Sequence, residues 1–212
     1  MRAPEEKALI DGPGGKIELI IENPGAPRGI ALIGHPHPLF GGMNTNKVAH
    51  SLARTFVALG YCAFRPNFRG VGLSEGTHDE GRGETDDMLA VLEEAKRRCG
   101  DLPVALAGFS FGGFVQTRVA KRLTEAGHPA QRLVLVGTAA GFVEGTRSYD
   151  TEAVPNDTIV IHGSADETVP LANVLKWAEP LELPVSVVPG ADHFFHRRLH
   201  VIREIITRSW RH

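Results

Sequence analysis

Apolar and polar positions along the chain alternate between two periods. Residues 7–22 (KALIDGPGGKIELIIE) read as two strands folded about the turn Asp11-Gly12-Pro13-Gly14-Gly15, an antiparallel opening hairpin. Residues 29–34 (GIALIG) form a continuous apolar run, as expected of a strand covered on both faces. Residues 44–59 then follow helical spacing, with Val48, Leu52, Phe56 and Leu59 on one side and Gly60 as the stop. Residues 61–64 read as a strand. Residues 83–98 read as a helix whose acidic start and basic end suit its dipole. Residues 103–107 form a strand, residues from 113 onward a helix, and residues 132–136, 158–161 and 185–188 three more strands. An amphipathic helix over 197–210 closes the chain. Between 137 and 157 the periodicity is weak.

Strand and helix thus alternate after the hairpin. This pattern predicts an α/β fold: a mostly parallel, doubly wound sheet with helices on both faces. No internal repeat, low-complexity tract or linker interrupts it, so residues 1–212 are expected to form a single domain. Twenty residues at 137–157 are too few for a cap domain, which predicts a shallow, open site.

Composition narrows the function. A formal net charge of −2 leaves no broad basic field for nucleic acid. No apolar run is long enough to span a bilayer, and the first ten residues lack the apolar core of a secretion signal. With only two cysteines, Cys62 and Cys99, both are expected to be free. The expectation is a cytoplasmic protein without membrane or nucleic-acid partners; the oligomeric state is not readable.

The chemistry gathers where a wound sheet puts it, beyond the carboxyl ends of the strands. After strand 103–107 comes Gly108-Phe109-Ser110-Phe111-Gly112, a G-x-S-x-G pentapeptide between strand and helix. Such a sharp turn leaves no room for side chains at Gly108 and Gly112 and pushes the Ser110 hydroxyl outward. After strand 158–161 comes Ser164-Ala165-Asp166-Glu167-Thr168-Val169-Pro170. After strand 185–188 comes Ala191-Asp192-His193-Phe194-Phe195. The order serine, acid, histidine matches the α/β-hydrolase arrangement. Ser110 is the candidate nucleophile, His193 its base and Asp166 the group that orients the imidazole. Glu167 and Asp192 are rival acids. The Phe111 backbone N–H is one expected oxyanion donor. The second comes from the loop His35-Pro36-His37-Pro38-Leu39-Phe40-Gly41-Gly42, where the prolines cannot donate. That leaves His37, Leu39 or a later residue, with Leu39 preferred.

Other polar groups have plainer readings. Arg65, Asn67 and Arg69 read as a hydrogen-bonded loop scaffold, and Phe194-Phe195 as packing that anchors the histidine loop. A metal at His35 and His37, or at His193, His196 and His200, is not expected. Glycines 70, 72 and 76 lack the Lys-Ser or Lys-Thr of a phosphate loop.

The stretches G-F-S-F-G, G-S-A-D-E-T-V-P and G-A-D-H-F-F, with H-P-H-P-L-F-G-G-M-N-T-N-K-V and R-P-N-F-R-G-V-G-L-S-E-G, resemble the small capless α/β-hydrolases of bacteria, often described as dienelactone-hydrolase-like. The resemblance runs from about Gly29 to the last helix. It implies the α/β-hydrolase fold without a cap domain. It also implies a serine hydrolase of carboxylester type that needs no cofactor, with Ser110, Asp166 and His193 as its triad. Dienelactone hydrolase itself uses cysteine where this chain has Ser110, so that substrate is not implied. The expected activity is cleavage of small carboxylic esters through an acyl-enzyme. The alternatives are a thioesterase, an aminopeptidase-like amidase, or a catalytically silent ligand-binding protein on the same scaffold.

Overall fold

The computed structural model describes residues 4–210. Residues 1–3 and 211–212, the ends of the expected 1–212 span, lie outside the described residues.

The chain opens with strands β1 (Glu5–Gly12) and β2 (Gly15–Glu22), antiparallel and in register from Glu5 opposite Glu22 to Gly12 opposite Gly15. Then come β3 (Gly29–Gly34), α1 (Lys47–Ala58), β4 (Tyr61–Pro66), α2 (Arg82–Cys99), β5 (Val104–Phe109), α3 (Phe111–Glu125) and β6 (Arg132–Val136). Two short strands, β7 (Gly141–Phe142) and β8 (Ser148–Tyr149), pair as a small hairpin. After them come β9 (Ile159–Gly163), α4 (Leu171–Ala178), β10 (Val185–Val188) and α5 (Leu199–Ser209). Eight strands form one sheet in the order β1-β2-β4-β3-β5-β6-β9-β10. From β4 to β10 every neighbouring pair is parallel; the opening hairpin adds the antiparallel edge.

Alternation along the central strands decides which helix covers which face. Ile30, Leu32, Leu106, Leu133 and Leu135 point to one face and pack with Met88 and Val91 of α2 and Val115 and Val119 of α3. Ala31, Ile33, Ala105, Ala107, Val134 and Val136 point to the other, beneath Leu52 and Phe56 of α1 and Ile202 and Ile206 of α5. Both faces of these strands are dry, as the unbroken apolar runs require.

The differences from the sequence expectations have local causes. Helix α1 starts at Lys47 instead of residue 44, because Asn46 caps it: the Asn46 Oδ1 accepts from the N–H of Val48 and Ala49 at 2.9 and 3.4 Å. Asn44 is buried and bonds across to Asn67 and Arg65. Between the acid loop and the last strand, where the apolar pattern predicts no element, the structure has helix α4. Residues 137–158 hold only β7 and β8 and form no cap. Cys62 and Cys99 are both free. Among the described residues no helix is long and apolar enough to cross a membrane.

Candidate active site

The turn after β5 is set by backbone crowding. A Cβ at Gly108 would lie 2.4 Å from the Gly112 carbonyl carbon and oxygen, closer than real atoms approach. A Cβ at Gly112 would lie 2.3 Å from the carbonyl oxygen of Gly34, on β3. The two glycines therefore serve different contacts: Gly108 faces the turn itself, Gly112 the neighbouring strand. Between them Ser110 sits at φ 55° and ψ −120°, a region that L residues rarely adopt. Its backbone is tied down: its N–H donates to Val136 O, and its carbonyl accepts from the N–H groups of Gly113, Phe114 and Ala139. The Ser110 side chain does not cap α3. It lines a cavity of about 270 Å³ that opens to the surface, while the residue itself stays 7% exposed.

His193, on the loop after β10, lines the same cavity, and Asp166, on the loop after β9, sits covered behind it. The Ser110 Oγ stands 3.0 Å from His193 Nε2, and His193 Nδ1 stands 2.7 Å from Asp166 Oδ2. All three residues are buried. The second Asp166 oxygen accepts from the N–H of Thr168 and Val169 at 3.0 and 2.8 Å, so the carboxylate is fully engaged. Its two loops are braced together: Ala165 N donates to Ala191 O, Ser164 N to Val188 O, and Gly190 N to the Ser164 hydroxyl. The His193 ring also packs on Phe109, with ring centroids 4.9 Å apart. The rival acids lie elsewhere. Asp192 pairs with His196, which holds its carboxyl below the usual carboxylate range. An imidazole held between a hydroxyl and a carboxyl group can take the hydroxyl proton, and the carboxyl group can stabilise the resulting charge.

The proline loop departs from expectation. Residues 38–40 make a single 3-10 turn that swings Leu39 outward, 69% exposed and off the cavity wall. The Leu39 N–H is turned to His37 Nδ1 at 3.3 Å. Leu39 is thus not at the site. His37 and Phe111 both line the cavity with Ser110, and neither of their N–H groups meets a protein acceptor among the described residues. The His37 side chain packs on Phe111 and His78. Burial, with His78 and Arg147 nearby, pushes its imidazole down to about 4.

Two buried histidines brace the site. His35 donates from Nδ1 to Pro36 O at 2.7 Å and accepts at Nε2 from Phe68 N at 2.9 Å. Burial lowers its imidazole to about 3, the neutral form this bonding requires. His162, fully buried on β9, donates from Nε2 to Val169 O at 2.9 Å and lies 3.4 Å from Asp166 Oδ2. It pins the loop that carries Asp166, a role hidden in the sequence because His162 sits within an apolar strand. The scaffold reading of residues 65–69 holds. Arg65 donates to Asn44 O, Asn67 Nδ2 to Glu18, and Arg69 grips Asp87 with two bonds of 2.8 Å. The two phenylalanines divide: Phe195 is buried in the core, whereas Phe194 is 46% exposed and lines the cavity.

Fold and cavity together define the class. The model of the alpha/beta hydrolase fold family matches residues 36–179, and the chain belongs to that family of hydrolases. Among solved structures it is similar to an alpha-beta serine hydrolase homologue from Coxiella burnetii, at 37% identity and a TM-score of 0.84 over 97% of both chains. It is also similar to an α/β serine hydrolase without a lid from Xanthomonas campestris. There the identity is 33% and the TM-score 0.85, over 99% of this chain and 94% of that one. A curated relative, the lysophosphatidylserine lipase ABHD12 of Gallus gallus, is 35% identical over 123 residues. That match takes in 55% of this chain but only 32% of the lipase.

Proposed function

We propose that this protein is a serine hydrolase of carboxylic esters, one of the small capless bacterial members of its family that carry the His35-Pro36-His37-Pro38 loop. The observation that carries the reading is the unbroken hydrogen-bond chain from Ser110 Oγ through His193 to Asp166, at 3.0 and 2.7 Å.

In the proposed cycle the Ser110 Oγ attacks the ester carbonyl carbon while His193 Nε2 takes the hydroxyl proton. Asp166 holds the Nδ1–H and stabilises the imidazolium. The carbonyl oxygen, now an anion, accepts from the N–H groups of Phe111 and His37. The intermediate collapses, the bond to the alcohol oxygen breaks, and His193 returns its proton to that oxygen. Water, deprotonated by His193, then attacks the acyl carbon; the bond to Ser110 Oγ breaks, His193 returns the proton to Oγ, and the acid is freed. This sequence uses only groups of the chain, substrate and water. The lidless neighbour supports an accessible site, and the lipase relative supports an ester as the bond cleaved.

The test pairs a fluorophosphonate probe with p-nitrophenyl butyrate. Wild-type protein should label at Ser110 and turn the ester over. Ser110→Ala should lose labelling and about 10⁴-fold or more in kcat, with its Tm unchanged or higher. Turnover retained in the variant would remove the mechanism. A matched panel of butyryl ester, butyryl thioester and aminoacyl anilide should rank the ester first.

A further inference from the structure

The cavity holding Ser110 does not end at His193. A groove of about 590 Å³ continues beside it, and Gly41, Asn46 and Phe194 border both spaces. The groove runs between the start of α1 and the turn that enters α5. Its walls carry two exposed cations, Lys47 and Arg197, and no carboxylate. Among the described residues neither Lys47 nor Arg197 is held by a carboxylate, so both head groups are free to meet a ligand. His196, also on the groove wall, is already engaged by Asp192. The wall on the other side of the cavity differs in sign: there Glu144, on the β7–β8 hairpin, is exposed.

We propose that this groove receives the alcohol side of the substrate ester, and that this leaving group carries a negative charge. The proposal rests on the serine-hydrolase reading and adds a substrate class to it. The direction follows from the proton path. The leaving oxygen must meet His193 Nε2, and Phe194, the residue directly after His193, forms the shared border with the groove. A leaving group that reaches the imidazole therefore extends toward Lys47 and Arg197 and away from Glu144. An ammonium and a guanidinium on the walls of one groove suit a phosphate or carboxylate. The protein's net charge of −2 supplies no general attraction for anions, so any preference must be local.

The experiment compares 1-butyrylglycerol with 1-butyrylglycerol 3-phosphate, which share acyl group, bond and leaving oxygen. Wild-type protein should favour the phosphate ester by about tenfold in kcat/KM at low ionic strength. The preference should shrink in roughly 0.5 M salt, where charges are screened within a few ångströms. The double variant Lys47→Gln/Arg197→Gln should bring the ratio to about one, whereas Lys47→Arg retains it. Lys176→Gln, on the distant helix α4, should leave it as in wild type. A wild-type ratio near one, or a double variant that keeps the wild-type ratio, would overturn the proposal while hydrolysis of the neutral ester still upheld the serine-hydrolase reading. Turnover of neither ester would overturn both.

Discussion

The elbow around Ser110 and the β7–β8 hairpin face the same cavity, and they are built on opposite terms. At the elbow three strands and a helix crowd together. A methyl group at Gly34, Gly108 or Gly112 would meet backbone at 2.3–2.8 Å, and Ser110 holds a strained conformation because its surroundings leave no other. The hairpin is tied at few points. Its strands are two residues each, Gly145 has nothing within 4 Å of its would-be Cβ, and Phe142 is 66% exposed. It is fastened by Arg147 donating to Glu80 O, by the Tyr149 ring against Phe114 at 5.1 Å and by Asn173 donating to Phe142 O. The wall around Ser110 thus has no spare volume, while the hairpin wall has room at its turn.

Four measurements sharpen or break this contrast. Gly112→Ala should destabilise the protein by about 3 kcal/mol or more, or prevent folding, because the Gly34 carbonyl has nowhere to go. A urea midpoint within error of wild type would refute the crowding account. Acid should come next, acting on the elbow's side through His35. Its folded imidazole, at about 3, lies below the ordinary 6.5, so the unfolded chain binds the extra proton first. His37, at about 4, works in the same direction. Their stabilisation is complete above pH 6.5 and is lost as pH falls from there toward 3. Tm should drop by several degrees between pH 7 and 5, with a shallower slope in His35→Asn. An equal slope in the variant would assign the acid sensitivity elsewhere. His162→Leu removes the donor that pins Val169 and should lower kcat about tenfold with KM little changed, since it frees the loop of Asp166 without touching substrate. A change confined to KM would contradict that role. The smallest effect belongs to the hairpin. Gly145→Ala, at φ +75°, should cost no more than about 1 kcal/mol. A loss as large as that of Gly112→Ala would erase the distinction.

The same contrast explains what the sequence disclosed. The elbow's demands fall on the identity of single residues, so Gly108, Ser110 and Gly112 announce themselves, and the ends of β5, β9 and β10 follow from apolar runs that the sheet's two dry faces require. Positions governed by side-chain direction were less legible. His162 reads as part of a buried strand until Val169 O is seen beside it. Leu39 is offered by the sequence because two prolines eliminate its neighbours; the 3-10 turn that Pro38 opens is what rotates it outward. Phe194 and Phe195 are alike in sequence but separate because Phe195 adopts φ 50°, sending one ring to the core and the other to the cavity. Helix α4 leaves little trace in the sequence because its eight residues bury only Val174 and Ala178, too short a stripe to stand out.

The histidine loop hangs from β10, the last strand at one border of the sheet, and that strand is joined to a single neighbour through four residue pairs, Val185–Val160 to Val188–Gly163. Such a margin frays before the interior does. On warming, the imidazole should drift from the hydroxyl while the central strands are still intact. Catalysis would then fade at a temperature below the cooperative melt, and return on cooling.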